Sequence, residues 1–155
     1  MKTLFTVFIF LCLITIPPAV AQATSVCDGV VLTEDVTWRG SMLVRGSVVV
    51  GPHATLRIEP GTVVRFAVSA DQQLPILVVQ GRLHAAGTSE LPIVLTSDHS
   101  MPTRGCWGGI VLLSTEKNNL LEGCRIEYAE TGIDIRFSNV TLNSVSILHA
   151  KTALM

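Results

Sequence analysis

A chain of 155 residues with 48% apolar and only 15% charged residues, and a net charge of −1, has the length of one domain rather than two. The near-neutral balance, with no basic stripe, excludes a nucleic-acid partner. The lack of like-charge runs excludes a polyelectrolyte tail.

Residues 1–21 read as a cleavable signal peptide. Lys2 supplies a minimal positive start. An apolar run from Leu4 to Ile16 follows, interrupted only by Thr6 and Thr15. Pro17-Pro18 ends it, and Ala19-Val20-Ala21 offers small residues for cleavage. A membrane anchor would need about 20 apolar residues, so no membrane span is expected after cleavage. A lipoprotein signal is rejected, because Cys12 follows the bulky Phe10 and Leu11. The expected location is periplasmic, extracellular or cell-surface.

Residues 22–41 read as a lead-in or cap, and residues 42–155 as β structure. No segment keeps a helical period. Short runs alternate in polarity or are β-branched, broken by Gly, Pro, Asn or Asp. The predicted strands are Met42–Val44, Val48–Val50, Leu56–Ile58, Val63–Phe66, Ile76–Val79, Arg82–Ala85, Ile93–Thr96, Ile110–Leu113, Arg125–Tyr128, Ile133–Phe137, Val140–Leu142 and Val145–Leu148. Few are joined by hairpin turns, which argues for a coiling chain over a sandwich. Internal repetition points the same way. A shift of 21 residues puts Leu121 on Leu142, Cys124 on Val145, Ile126 on Ile147, Ala129 on Ala150, Thr131 on Thr152 and Ile133 on Leu154. Such a period suits a coil of about three short strands stacked at the strand spacing of about 4.8 Å. Alternation then sends Cys124, Ile126, Ile133, Ile135, Val140, Leu142, Val145 and Ile147 inward. Arg125, Glu127, Asp134, Arg136 and Thr141 point outward. The repeat breaks off in mid-coil, so the chain reads as truncated. Its open apolar last coil is an expected route to self-association.

The succession Leu56-Arg-Ile-Glu-Pro-Gly-Thr-Val-Val-Arg-Phe66, Leu77-Val-Val-Gln-Gly-Arg-Leu-His-Ala-Ala-Gly-Thr88, Pro92-Ile-Val-Leu-Thr-Ser97 and Trp107-Gly-Gly-Ile110 resembles the opening coils of secreted right-handed parallel β-helix proteins of the pectin-lyase-like superfamily. The resemblance runs from about Val44 onward. It implies an all-β, right-handed β-solenoid. Pro60-Gly61 and Gly87 read as corners, and Trp107 with Gly108-Gly109 as a coil boundary with close backbone approach.

Three cysteines follow the leader: Cys27, Cys106 and Cys124. An odd number leaves at least one thiol unpaired within the chain. Cys106 and Cys124, eighteen residues apart, are the disulfide candidates. The alternative for Cys124, and the favoured one, is a small buried apolar residue. His53, His84, His99 and His149 are scattered, and no Cys-x-x-Cys or phosphate loop is present. No cofactor or metal is therefore expected. The Gly-x-Ser-x-Gly elbow of a serine nucleophile is missing too.

The resemblance implies polysaccharide chemistry. Glycosidases need two carboxyls about 5–10 Å apart, and lyases of the superfamily use calcium-binding acids with a basic residue. The outward set Arg125, Glu127, Asp134 and Arg136 is the candidate ligand face. The next coil, however, carries Ser146 and Leu148 where Arg125 and Glu127 stood, so the charges do not propagate and catalysis is not assigned to them. Asn139-Val140-Thr141 is a glycosylation sequon, relevant only in a eukaryotic secretory pathway. Two functions follow. One is an exported non-catalytic scaffold binding a polysaccharide or a cell-surface protein. The other is the N-terminal part of a polysaccharide lyase or hydrolase with its catalytic coils beyond residue 155.

Overall fold

The computed structural model describes residues 25–68, 73–113 and 118–155, so the expected signal peptide lies outside the described residues. Among them are fifteen strands and no helix, and every strand pairing is parallel. An opening strand, β1 (Ser25–Leu32), lies on the first full coil. That coil comprises β2 (Val36–Trp38) and a ten-residue β3 (Ser41–Val50). The second coil is β4 (Thr55–Ile58), β5 (Val63–Ala67) and β6 (Ile76–Val79). The third is β7 (Arg82–Ala86), β8 (Ile93–Ser97) and β9 (Trp107–Leu112). The fourth is β10 (Asn118–Glu122), β11 (Cys124–Glu127) and β12 (Ala129–Ile135). The fifth is β13 (Asn139–Asn143), β14 (Ser146–Leu148) and β15 (Thr152–Leu154).

The strands form three stacks. One runs β2-β4-β7-β10-β13. A second runs from the first half of β3 through β5, β8, β11 and β14. The third runs from the second half of β3 through β6, β9, β12 and β15. The two β3 segments expected as separate strands are thus one strand, which turns between stacks at Gly46 (φ +71°). Ser25–Leu32 and Val36–Trp38 lie within the stretch read as a lead-in, and they already stack on the coils.

Alternation places every second side chain inside, and in-register stacking lines these up into columns. One column is Met42, Val64, Leu95, Ile126 and Ile147. Another is Val48, Leu77, Ile110, Ile133 and Leu154. A third is Val50, Val79, Leu112 and Ile135. Their central members are fully buried. A lone coil could bury none of these, so the fold is cooperative along its axis. Burying a Leu, Ile or Val side chain contributes about 1.5–3 kcal/mol.

The 21-residue shift is the true register of the last two coils: Leu121 pairs with Leu142, Ile126 with Ile147, Thr131 with Thr152 and Ile133 with Leu154. Their corners match as well. Gly123 and Ser144 (φ +54° and +51°), and Tyr128 and His149 (φ +61° and +54°), are left-handed residues 21 apart. The rings of Tyr128 and His149 stack at 5.1 Å. Val140, Val145 and Ile147 are half-buried and Leu142 is 39% exposed, because β13, β14 and β15 each pair on one side only.

A polar residue, Asn119, occupies an inward slot of β10. Asn119 is 1% exposed. Its Oδ1 accepts the Leu83 N–H at 2.8 Å, and its Nδ2 donates to Ser138 Oγ at 3.1 Å and to the Asn139 carbonyl at 3.2 Å. It therefore ties three coils together with no polar atom left unpaired.

Candidate functional site

The four residues of the expected ligand face do not form one site. Arg125 and Glu127 lie on β11, in the second stack. Asp134 lies on β12 and Arg136 just beyond it, in the third. The Tyr128 corner separates the two strands. Each pair is closed on itself. Arg125 Nε reaches Glu127 Oε1 at 2.8 Å. Arg136 donates from Nε and Nη2 to Asp134 Oδ2 at 2.8 and 2.6 Å. Asp134 is thereby corrected from an exposed to a buried residue, 6% accessible. It stands on an outward rung, but the Arg136 guanidinium lies over it. The same carboxylate pushes the Arg136 ionisation above its ordinary value through these hydrogen bonds.

Above and below these residues the charges stop. Arg125 is flanked in register by Val94 and Ser146, Glu127 by Leu148, and Asp134 by Val111. Two further pairs, Arg65–Asp98 at 3.1 Å and Glu130–Lys151 at 2.7 Å, are likewise closed and exposed. Exposed pairs of this kind contribute about 0–1 kcal/mol. Among the described residues no group of three or more His, Cys, Asp and Glu side chains converges on a point that could hold a metal ion.

The disulfide candidates are free thiols. The spacing of eighteen residues does not correspond to one coil here: Trp107 pairs with Ala129, a step of 22, so Cys106 lies beside Tyr128, whose carbonyl accepts its N–H at 2.9 Å. Cys124 sits one corner earlier, inside the core, 2% exposed. Its thiol donates to the Glu122 and Ala85 carbonyls at 3.2 and 3.8 Å. This is the small buried apolar role that its sequence position suggested. Cys27 is half-buried, and burial together with Asp28 pushes its thiol ionisation up.

Burial pushes the Cys124 ionisation up to about 11, from 9.0 for a free thiol. The folded state therefore holds this proton after the unfolded chain has released it. The stabilisation is complete below about pH 9 and is lost as pH rises toward 11. Cys124→Ala should remove that dependence. Urea unfolding from about pH 8 to about pH 10.5 should show the parent losing about 2 kcal/mol more than the variant. Parallel curves would refute the assignment.

Sequence reasoning did not foresee a groove of about 660 Å³ on the outer surface where β1 and β3 turn. Asp28, Arg45, Ser47 and Gln73 bring polar groups to it, and Val31, Val49 and Val68 line it with apolar surface. Asp28 and Arg45 are register partners. Both strands turn there at a glycine of positive φ, Gly29 and Gly46. A smaller apolar recess of about 300 Å³ opens beside Phe66, Leu74, His99 and Cys106. Trp107, Gly108 and Gly109 open β9 and do not mark a boundary between coils, but the expected close backbone approach is present between Gly109 and Thr131 of β12. The Phe66 and Trp107 rings stack at 4.1 Å, and Trp107 Nε1 donates to the Glu127 carbonyl at 2.7 Å.

Stacked parallel strands on three faces, wound with the right-handed sense that parallel crossovers take, define a right-handed parallel β-helix. The family model of the pectate-lyase-like β-helix domain matches residues 29–145, and the chain belongs to that family. No curated relative and no solved structure matches the chain.

Proposed function

We propose that this chain is an exported β-helix scaffold without a catalytic role of its own, which presents an outer face to a polysaccharide or a cell-surface protein. The observation that supports the reading is the pattern of charge. A polysaccharide-cleaving face needs carboxylates held open to substrate, two of them about 5–10 Å apart for hydrolysis. Here Glu127 and Asp134 are each bound by a neighbouring arginine, and the adjoining rungs are Val94, Ser146, Leu148 and Val111. The groove bounded by Asp28, Arg45, Ser47 and Gln73 is the surface better suited to a ligand. Its apolar floor and few polar groups match the usual make-up of a binding site. Self-association through β13–β15 belongs to the same proposal, since Leu142, Leu148 and Leu154 are exposed along strands paired on one side.

The test is to titrate the protein with oligogalacturonides and neutral cell-wall oligosaccharides, and to follow product release from polygalacturonate. Binding that falls at least tenfold in Arg45→Ala, with no unsaturated product, is the expected result. Release of unsaturated uronide would overturn the non-catalytic reading. Sizing of the same preparation reads self-association, and a monomer at every concentration would remove that part.

A further inference from the structure

Phe137 is the most exposed large apolar side chain among the described residues, at 90%. Its φ is +51°, in the left-handed region that bulky side chains rarely occupy. Neither packing nor backbone ease accounts for an aromatic residue at this corner between β12 and β13. Two residues later comes Asn139-Val140-Thr141, the sole Asn-x-Ser/Thr sequence in the chain. Asn139 and Thr141 are exposed while Val140 between them is half-buried. Acceptor and hydroxyl thus stand on the outward side of β13. The backbone there is held from below, by Asn119 Nδ2 on Ser138 Oγ and on the Asn139 carbonyl. Residues two apart have Cα atoms within about 7 Å, so a sugar on Asn139 is within reach of the Phe137 ring. An aromatic face carries negative charge density, which attracts the C–H side of a pyranose.

We propose that Asn139 is an N-glycosylation site whose first sugar stacks on Phe137. The donor is a polyprenyl-diphosphate-linked oligosaccharide. The Asn139 Nδ2 attacks C1 of its first sugar, forming the C1–N bond as the C1–O bond to diphosphate breaks. The lipid diphosphate leaves with the electron pair, the transferase takes the amide proton, and nothing is oxidised or reduced. The proposal rests on the reading of the chain as exported, because the transfer takes place in the secretory lumen.

The full chain is translated with microsomes of the endoplasmic reticulum. In parallel, residues 1–21 are exchanged for a signal peptide of proven function. A single glycan-sized shift is expected in the lumenal protein. An N-glycan amidase should remove it, and Asn139→Gln and Thr141→Ala should each abolish it. Phe137→Ala should lower occupancy at least twofold. It should also erase the rise of about 2–4 °C in melting temperature that the glycan gives the parent protein. Lumenal protein without the shift in the parallel arm overturns the site. A shift in that arm alone counts against the export reading and supports the site. Equal occupancy and equal glycan-dependent melting in Phe137→Ala overturn the stacking role.

Discussion

Gly109→Ala is expected to destabilise the coils around β9 severely. Gly109 has φ +104°, and a Cβ placed on it would lie 1.6 Å from the Thr131 carbonyl oxygen of the coil above. Two costs combine. The backbone conformation is nearly closed to any residue with a Cβ, and the clash is with backbone that is itself in the ladder. At this position β9 and β12 slip register: Thr131 pairs with Gly109, but Ile133 pairs with Ile110. The extra residue, Gly132, is accommodated because Gly109 lets the two chains approach. A side chain there must push β12 outward and open the columns through Ile110 and Ile133. The expected loss is about 4 kcal/mol or more, in the range that single substitutions reach only through strain or core disruption. Gly108→Ala is the control. The atoms nearest its added Cβ belong to the Ile76 side chain, at 3.2–3.3 Å, and its φ is not positive. Denaturant midpoints of the two variants should differ widely. Near-equal midpoints would mean that the bulge can relax around a methyl group.

How much of this was legible beforehand depended on loop length. The repeat was readable between Leu121 and Met155 because the corners there are only one to three residues long, so strands recur at a constant 21 residues. Lower in the helix the step from Leu56 to Leu83 is 27 and that from Phe66 to Ser97 is 31. The segments between strands there differ in length, which hides the period. Strand β10 escaped notice because Asn119 occupies an inward slot, and only its three hydrogen bonds make that tolerable. Strand β1 escaped because most of its residues are exposed and its alternation is broken at Gly29. The expected ligand face is divided in two for a related reason. Tyr128 turns the chain between stacks in a left-handed conformation that sequence leads one to expect of glycine. Nothing in the residue itself warned that Arg125-Glu127 and Asp134-Arg136 would fall on either side of a corner. The groove at Asp28 and Arg45 needed the register of β1 on β3, which no local pattern encodes.

The second large effect is expected at Trp107. It is fully buried, yet its ring belongs to three coils at once. It starts β9 of the third coil, stacks within 4° of parallel on Phe66 of the second, and donates its indole N–H to Glu127 of the fourth. Trp107→Ala removes the stack, the hydrogen bond and the largest fully buried side chain together, and should cost about 3–5 kcal/mol. Trp107→Phe separates the contributions. The smaller ring can keep the face-to-face contact with Phe66, worth about 0.5–1.5 kcal/mol beyond its area, but leaves the Glu127 carbonyl without its donor, a loss of about 1–3 kcal/mol. If the hydrogen bond anchors the corner, Trp107→Phe should unfold at a denaturant concentration midway between parent and Trp107→Ala. If the stack alone matters, it should match the parent. Trp38 is the chain's other tryptophan, so a Trp38→Phe background lets fluorescence report Trp107 directly. A blue-shifted, strongly protected emission is expected there, and it should shift to the red in step with loss of the β signal. The link between the three coils makes Trp107 the place where local damage would spread along the axis. Unfolding of Trp107→Ala should therefore remain one cooperative step with a lowered midpoint. A biphasic curve, with the lower coils melting apart from the upper, would show that the indole is what couples them.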